Sequence, residues 1–329
     1  MSDPIRHRKI VIPGGSGQVG TVLARAFHGR GIEVAVLSRK PTNAPWRVVA
    51  WDGQTLGAWT AEFEGAAAII NLAGRSVNCR YNSRNRRLIK ESRMNSTRVV
   101  GKAIGMAKRP PPVWLQASTA TIYAHRFDAP NDELTGVIGG VEPDTPDTWR
   151  FSIDVATSWE AALDEAVTPS TRKVKLRSAM TMSPDRGGIF DLLLRLVRFG
   201  LGGSAGSGRQ YVSWIHAADF VRAIEWLIDR DDFEGPVNLA APNPVPNVEF
   251  MRELRNAWGQ SFGLPAREWM LEIGALILRT ETELILKSRR VISGRLSQAG
   301  FTFQFPNWSE AARDLCGQWR ALHRSAAPR

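Results

Sequence analysis

Three glycines at a three-residue spacing, Gly14, Gly17 and Gly20, form the first pattern in the chain that indicates chemistry. They follow the apolar run KIVIP and open a second apolar run, so a strand, a tight turn and a helix are expected in that order. Gly14 would permit the turn, Gly17 would let the main chain approach a phosphate, and Gly20 would let the helix pack closely. The spacing predicts a dinucleotide pyrophosphate site that includes Gln18 and Val19; a glycine-rich turn without a ligand is the alternative.

The end of the second predicted strand, in EVAVLSRKP, carries Ser38, Arg39 and Lys40. A protein that prefers NAD(H) usually places an acid there, which accepts hydrogen bonds from the ribose hydroxyls. A hydroxyl and two cations would instead bind a 2′-phosphate, so the sequence predicts NADP(H) as the cofactor. The alternative is that Arg39 and Lys40 are solvated on a surface loop.

Arg93 lies on the inward stripe of a long helix predicted after the fourth strand. The other members of the stripe, spaced by threes and fours, are Ile89, Ser96, Val100, Ala103 and Ala107. Because an unpaired buried charge costs on the order of several kcal/mol, we expect Arg93 to contact a phosphate, of the cofactor or of a substrate, or the cofactor ribose. The neighbouring cations, expected to form a solvated face, are Arg84, Arg86, Arg87 and Lys90.

Short β-branched runs alternate with longer amphipathic runs over about the first 180 residues, which predicts an α/β fold with a doubly wound parallel sheet of the Rossmann type. The predicted strands are KIVIP, EVAVLS, RVVAW, AAIINLAG, VWLQAS and KVKLRSA, followed later by YVSWIH and GPVNLA. The rest of the chain predicts a smaller, mostly helical C-terminal substrate domain. We expect an NADP-binding Rossmann domain over 1–185, to which 209–240 returns, and a smaller domain made of 186–208 and 241–329.

Size and composition limit the classes of protein to which the chain can belong. The 329 residues are 43% hydrophobic, enough for one large core or for a main domain with a smaller one. No apolar run approaches the roughly 18 residues that span a bilayer, no apolar signal core follows the first residues, and only Cys79 and Cys316 are cysteines. These features predict a cytoplasmic protein without membrane contact or bound metal.

The net charge of +11 fits either nucleic acid or a small polyanion. The sequence has no zinc-finger spacing and no basic low-complexity tail, so we expect a small-molecule substrate and no nucleic-acid partner. Charge and composition leave the oligomeric state open.

Five segments resemble, in order and spacing, the nucleoside-diphosphate-sugar epimerase-like branch of the extended short-chain dehydrogenases/reductases. They are IPGGSGQVG, AAIINLAGRSVNCRYNSRNRRLIKESRMNSTR, ASTATIYA, GLGGSAGSGRQYVSWIHAADF and LSQAGFTFQFPNWSEA. The likeness covers nearly the whole chain. From NPVPNVEF onward the tail is similar to an atypical subgroup that carries its own C-terminal domain of unknown function.

The resemblance implies roles for individual residues. The run that would lie along the cofactor ribose is Asn71, Leu72, Ala73 and Gly74. Thr119 occupies the family's catalytic hydroxyl position, and Tyr123, four residues later, is the second candidate catalytic residue. Arg209 and Gln210 would contact the substrate. For Thr119 and Tyr123 the alternative is a packed or hydrogen-bonded role at the strand end.

The proton relay of the family is missing. In that family a Tyr passes a proton to or from the substrate oxygen, and a Lys four residues later lowers the pKa of the Tyr. No Tyr-x-x-x-Lys occurs in this sequence, and the alignment places Ser152 at the Tyr position and Ala156 at the Lys position. One hypothesis is an NADP(H)-dependent oxidoreductase or epimerase-like enzyme acting on a small, anionic substrate. The other is a catalytically poor NADP(H)-binding regulatory or interaction protein.

Overall fold

The computed structural model describes residues 8–267, 270 and 281–324. Within these residues, one central sheet consists of seven parallel strands: β1 (Lys9–Pro13), β2 (Glu33–Ser38), β3 (Arg47–Ala50), β4 (Ala68–Asn71), β5 (Val113–Thr119), β6 (Arg172–Ser178) and β10 (Gly235–Leu239). Their order across the sheet is β10, β6, β5, β4, β1, β2, β3. The direction of winding therefore reverses between β1 and β4, and the loops after these two strands open a crevice at the carboxyl edge of the sheet.

Helices cover both faces of the sheet. One face carries α1 (Gln18–Gly29) and α5 (Ala217–Asp229), and the other carries α2 (Ser83–Met106) and α3 (Asp147–Asp164). In β1, Ile10 and Ile12 pack into the first face and Val11 into the second. Because both faces are buried, the strands are continuous apolar runs. The predicted α/β fold with a doubly wound parallel sheet is confirmed.

The described part of the C-terminal region is mostly helical. Its helices are α6 (Asn247–Trp258), α7 (Glu283–Leu286), α8 (Gly294–Gln298) and α9 (Trp308–Arg324). Another helix, α4 (Ile189–Arg198), comes earlier in the chain and packs with them. The helices α4, α6 and α9 pack around one hydrophobic cluster, where Trp308 stacks on Phe250 with ring centroids 4.0 Å apart. The prediction of a mostly helical C-terminal part is confirmed.

The prediction of YVSWIH as one strand is wrong. The segment forms β8 (Tyr211–Val212) and β9 (Trp214–His216), which lie outside the central sheet. β8 pairs antiparallel with β11 (Val245–Pro246), and β9 pairs parallel with β7 (Met180–Met182). Between them, the Ser213 hydroxyl donates to the main-chain oxygen of Arg289 at 2.5 Å. The segment divides at Ser213 because its pairing partner changes there from β11 to β7, and the Ser213 hydroxyl bonds to a distant part of the chain.

That distant part is residues 281–293, here called the crossing segment, which includes α7. The Ser288 amide donates to His125 Nδ1 at 2.8 Å, and the Arg289 amide donates to the main-chain oxygen of Tyr211 at 2.9 Å. Farther along, the Asn131 amide donates to the main-chain oxygen of Arg290 at 2.6 Å. The segment therefore joins the region after β5 to β8 and lies over the carboxyl edge of the sheet.

The described residues show no sign of a membrane span or of a metal centre. No helix among them combines the length and apolar character needed to cross a membrane. The same residues contain no group of three or more His, Cys, Asp or Glu side chains that could hold a metal ion. Both cysteines are free; Cys316 is buried, and burial raises the pKa of its thiol to about 11.

Candidate functional site

The turn between β1 and α1 forms one wall of the crevice. Gly14 has a φ of +74°, and a Cβ on it would lie 2.5 Å from the Cα of Ala73, so a side chain there would collide with the loop after β4. A Cβ on Gly20 would lie 2.4 Å from the Cα of Gly15, so the helix starts in direct contact with the turn. A Cβ on Gly17 would meet only the main-chain oxygen of Gly14, at 3.9 Å. The space beside Gly17 is therefore open, next to helix amides that have no acceptor within the helix.

The start of α1 offers hydrogen-bond donors without protein acceptors. Gly17 is the N-cap and contributes no capping side chain, and the first turn contains no acid. The side-chain amide nitrogen of Gln18 is buried near Gly188 at the start of α4, and it has no hydrogen-bond partner among the described residues. Val19 is half-buried and packs against the core. Free donors at a helix N-terminus fit a group rich in acceptor oxygens, such as a pyrophosphate.

The end of β2 lies beside the glycine turn, since the Gly14 amide donates to the main-chain oxygen of Leu37 at 2.9 Å. Ser38 is buried, and its hydroxyl contacts the Ser16 hydroxyl at 3.1 Å and the main-chain oxygen of Lys40 at 3.0 Å. Arg39 and Lys40 are exposed, and no carboxylate of the described residues lies within ion-pair distance of either. Two cations without acid partners therefore stand at the edge of the turn.

The end of β4 forms the opposite wall. Asn71 is fully buried; its side-chain oxygen accepts from the Ala73 amide at 3.1 Å and its nitrogen donates to Gln116 at 2.9 Å. The Leu72 amide donates to the main-chain oxygen of Pro13 at 2.8 Å, which ties this loop to β1. Ala73 is buried against the glycine turn, and Gly74 is exposed. The predicted ribose-contacting run is thus held rigidly at the crevice, with Gly74 at its open end.

Arg93 of α2 reaches the same loop. A Cβ on Gly74 would lie 3.2 Å from the Arg93 guanidinium carbon. The guanidinium donates to the main-chain oxygens of Arg75 and Ile89, each at 3.0 Å, and lies 5.0 Å over the Trp159 ring. Burial lowers the pKa of Arg93 to about 10. Within residues 8–267, 270 and 281–324 no carboxylate forms an ion pair with it, so its contacts are neutral oxygens and a ring.

Thr119 and Tyr123 lie close in sequence but have different surroundings. Thr119 is half-buried at the end of β5, and its hydroxyl oxygen accepts from the Thr121 amide at 3.2 Å. Tyr123 is 2% exposed; its hydroxyl donates to Asn238 Oδ1 at 2.9 Å and accepts from Arg177 at 3.0 Å. The Tyr123 hydroxyl is thus hydrogen-bonded in the core, as in the alternative role for this residue. The Thr119 hydroxyl only accepts a hydrogen bond, so its proton remains available to a ligand.

The two predicted substrate contacts also differ. Arg209 is exposed on the loop before β8. Gln210 is 3% exposed, and its side-chain nitrogen donates to the main-chain oxygens of Ala205 at 2.8 Å and Ile285 at 3.3 Å. The structure therefore uses Gln210 to join this loop to the crossing segment, and leaves Arg209 accessible.

A buried ion pair fixes α3 behind the site. The Glu160 carboxylate accepts from Arg177 at 2.9 and 2.8 Å and from the Ser118 hydroxyl at 2.6 Å. Burial acts to lower the pKa of Arg177, but the hydrogen bonds and charge of Glu160 outweigh it and raise that pKa. The pair joins α3, which carries Ser152, to β6 and, through Ser118, to β5, which carries Thr119.

The crossing segment also borders the site, although none of the site residues predicted from the sequence lies in it. The Ser152 hydroxyl, at the relay position, donates to Glu283 Oε2 at 2.5 Å. Lys287 donates to the main-chain oxygen of Thr121 at 2.8 Å, and Arg289 donates to the Thr121 hydroxyl at 3.2 Å. The available sequence signal was the run ETELILKSRR, in which charged residues interrupt Leu and Ile, a pattern equally typical of a solvated helix.

Burial controls the protonation of these groups. It raises the pKa of Glu283 above its ordinary value, although Arg289, Lys287 and the Ser152 hydroxyl act in the opposite direction. Burial and then Arg289 lower the pKa of Lys287 to about 8. Burial and the charge of Glu283 raise the pKa of Tyr81, which precedes α2, to about 12. Buried groups with shifted pKa values in a crevice are typical of catalytic and binding sites.

The winding reversal, the glycine turn and the carboxyl-edge crevice define a protein of the Rossmann class, with a doubly wound sheet. The model of the NAD dependent epimerase/dehydratase family matches residues 10–145. A second model, a domain of unknown function called DUF1731, matches residues 268–315. The crossing segment lies within the second matched region, and its contacts with Thr121, His125 and Asn131 join it to the first.

The relatives are similar over nearly their whole length. The epimerase family protein SDR39U1 of Bos taurus is 30% identical over 312 residues, which cover 93% of this chain and 99% of that protein. Its counterpart in Homo sapiens is 29% identical over 311 residues, with the same coverage. This chain therefore belongs to the epimerase family, in the branch with a C-terminal DUF1731 domain, and the resemblance found in the sequence is confirmed.

Solved structures of epimerase-type proteins have the same fold as this chain. The crystal structure of human SDR39U1 with NADPH superimposes with a TM-score of 0.81 at 28% identity, covering 94% of this chain and 99% of that one. The nucleoside-diphosphate sugar epimerase from Corynebacterium glutamicum has a TM-score of 0.72 at 25% identity and covers 97% of this chain and 62% of that one. The UDP-N-acetylglucosamine 4-epimerase from Bacillus cereus, at 14% identity and a TM-score of 0.71, shares the fold.

Proposed function

We propose that this chain is an NADP(H)-dependent oxidoreductase or epimerase-like enzyme that acts on a small, anionic substrate. The observation that carries the proposal is the end of β2, where the exposed cations Arg39 and Lys40 have no carboxylate partner in the described chain and stand beside the open glycine turn. The NADPH in the human SDR39U1 structure supports the same cofactor.

The described residues fit such a cofactor. Free amides at the start of α1 and the unpartnered Gln18 amide would bind the pyrophosphate. Arg39 and Lys40 would bind the 2′-phosphate, with Ser38 fixing the loop that carries them. The run from Asn71 to Gly74 would line the ribose. When bound, the cofactor would supply or accept a hydride, and the protein must supply the proton step.

An anionic substrate is supported by cations around the crevice that lack acid partners. Arg75 and Arg209 are exposed, and Arg93 contacts only neutral groups; no carboxylate in the described ranges pairs with these three. We propose that Arg209 and the hydroxyl of Thr119 contact the substrate, and that Gln210 positions the Arg209 loop. Residues 186–208 and 241–329 would form the smaller substrate domain beside the Rossmann domain.

A second candidate function is an NADP(H)-binding regulatory or interaction protein. The observation that favours it is the missing relay: Ser152 is a far weaker acid than a tyrosine, and the fully buried Ala156 carries no charge. Both candidates bind NADPH, and they differ in turnover. Multiple turnovers of NADPH with a panel of small phosphorylated or carboxylated carbonyl compounds would favour the enzyme.

Arg39→Asp is expected to weaken NADPH binding by about 10- to 100-fold, because a charge-assisted contact to the 2′-phosphate is replaced by repulsion. NADH lacks that phosphate, so its affinity should change by less than about threefold. Isothermal titration calorimetry of both nucleotides measures the difference. Lys102→Asp, at an exposed site on α2, is the control for the charge change. Equal losses for NADPH and NADH would contradict the cofactor assignment.

A further inference from the structure

Glu283 of the crossing segment takes the place that the family gives to its relay tyrosine. Ser152 is at the Tyr position of α3, and its hydroxyl donates to Glu283 Oε2 at 2.5 Å across 131 residues of chain. A serine side chain is shorter than that of a tyrosine, so it leaves room at its tip. The Glu283 carboxyl group lies in that room, over the carboxyl edge of the sheet.

One oxygen of this carboxyl group has no partner. The Glu283 side chain is 1% exposed, and its Oε1 has no hydrogen-bond partner among the described residues, whereas Oε2 is held by Ser152. An unsatisfied buried carboxyl oxygen is costly and rare in folded proteins. A proton on Oε1, or a ligand oxygen next to it, would remove that cost.

The other proton-carrying groups nearby are already engaged. Lys287 donates to the main-chain oxygen of Thr121. The Tyr123 hydroxyl is held by Asn238 and Arg177. The Tyr81 hydroxyl shares a hydrogen bond with Ser152, and burial raises its pKa to about 12. Glu283 Oε1 is therefore the buried acidic atom of this cluster that is free to exchange a proton with a ligand.

The charges that face Glu283 come from every element around it. From its own segment come Arg289, Lys287 and Glu281, and from the chain before α2 comes Tyr81. Behind these, Arg93 acts on Tyr81 and Glu142 acts on Lys287. Burial outweighs the two nearest cations, so the carboxyl group keeps its proton to a higher pH than a free glutamic acid.

We propose that Glu283, supplied by the C-terminal region, is the general acid and base that replaces the absent Tyr and Lys, with Ser152 as its positioning residue. This proposal rests on the proposed function, because it requires bound NADP(H) and a substrate oxygen at the crevice.

The proton step balances in both directions. In a reduction, bound NADPH supplies the hydride to the carbonyl carbon, and the π pair of the C=O bond moves to the oxygen. Glu283 Oε1 gives its proton to that oxygen, and the resulting carboxylate keeps the hydrogen bond from Ser152 and regains a proton from water. In an oxidation, the Glu283 carboxylate takes the proton of the substrate hydroxyl while the hydride leaves for NADP⁺.

The test compares the affinities of NADP⁺ and NADPH as a function of pH, without any substrate. The oxidised nicotinamide carries a positive charge and the reduced one is neutral, so an ionised Glu283 beside the ring favours NADP⁺. In the wild type, NADP⁺ binding should tighten relative to NADPH by about tenfold as the pH rises through the Glu283 pKa. The 2′-phosphate titrates in the same range but is common to both nucleotides, so it cancels in the ratio of dissociation constants.

Single substitutions test whether the pH dependence of the NADP⁺ to NADPH affinity ratio arises from Glu283. Glu283→Gln should make the ratio independent of pH, and Glu283→Asp should retain part of the step. Ser152→Ala should move the step to higher pH, because it removes a hydrogen bond that favours the ionised carboxylate. Glu281→Gln is the matched control: Glu281 is a buried acid of the same segment, and its Oε1 accepts from the Tyr81 amide at 2.6 Å, so the step should remain.

Each outcome decides the proposal. A wild-type ratio that is flat with pH, a step that persists in Glu283→Gln, or a step that Glu281→Gln also removes would overturn it. Absence of binding of either nucleotide would instead remove the proposed function itself. If Glu283→Gln does not fold, carbon-13 NMR of glutamate-labelled wild type replaces it. One carboxyl signal must then titrate above the ordinary glutamate range, and at lower pH with NADP⁺ than with NADPH.

Discussion

Glu160→Gln is expected to lower the free energy of unfolding by about 3–5 kcal/mol, because it leaves the buried Arg177 guanidinium without a counter-charge. The Glu160 and Arg177 side chains are only 8% and 11% exposed, and Glu160 accepts three hydrogen bonds. Urea unfolding measured by circular dichroism would give the loss as a lower midpoint with an unchanged slope.

Asp164→Asn is the matched control for this prediction. Asp164 pairs with Lys175 at 2.7 Å on the same helix and the same neighbouring strand, but its side chain is 59% exposed. Because the Asp164 carboxylate is largely solvated, its pair contributes about 0–1 kcal/mol, so this variant should be close to the wild type. Similar losses for the two variants would mean that the Glu160 pair is not buried as described.

Gly14→Ala is expected to lower the free energy of unfolding by about 2–4 kcal/mol and to reduce NADPH affinity at least tenfold. Two effects combine at this position: the φ of +74° strains any side chain, and the added Cβ would overlap the main chain of Ala73. Ala73 belongs to the loop that would line the ribose, so relief of the overlap displaces that loop. Thermal unfolding with and without NADPH measures both effects.

Gly31→Ala separates the two causes. Gly31 has a φ of +78°, but no atom lies within 4 Å of the position of its Cβ. Its substitution should therefore cost only the backbone strain, about 1–2 kcal/mol, and should leave NADPH affinity unchanged. If Gly31→Ala matched Gly14→Ala in both measurements, the overlap with Ala73 would have no role.

The sequence predicted those parts of the molecule that depend on local patterns. The spacing of Gly14, Gly17 and Gly20 between two apolar runs identified the turn, and the alternation of strands and helices identified the sheet. Both patterns arise from contacts between residues close in sequence or from the period of each element. The same applies to Arg39 and Lys40, whose position after β2 follows directly from the strand assignment.

The parts that the sequence did not predict depend on contacts between distant residues. The Tyr123 hydroxyl bonds to Asn238, 115 residues away, which turns a candidate catalytic group into a core residue. Ser152 meets Glu283 across 131 residues, and no spacing in the chain indicates that pair. The predicted strand YVSWIH divides at Ser213, where its partner changes from β11 to β7, and the Ser213 hydroxyl bonds to Arg289, 76 residues away. Each of these required the tertiary structure.

The crossing segment has a consequence for how the molecule assembles. Its Glu281 bonds to the Tyr81 amide across 200 residues, so this contact closes a long loop and is expected to form late in folding. The glycine turn needs only shorter closures, to Leu37 and to the loop that contains Ala73. A chain in which residues 281–293 had detached would therefore still bind the nucleotide at the glycine turn but would lack Glu283 at the crevice. Cofactor binding and proton transfer would then be separable properties of one polypeptide.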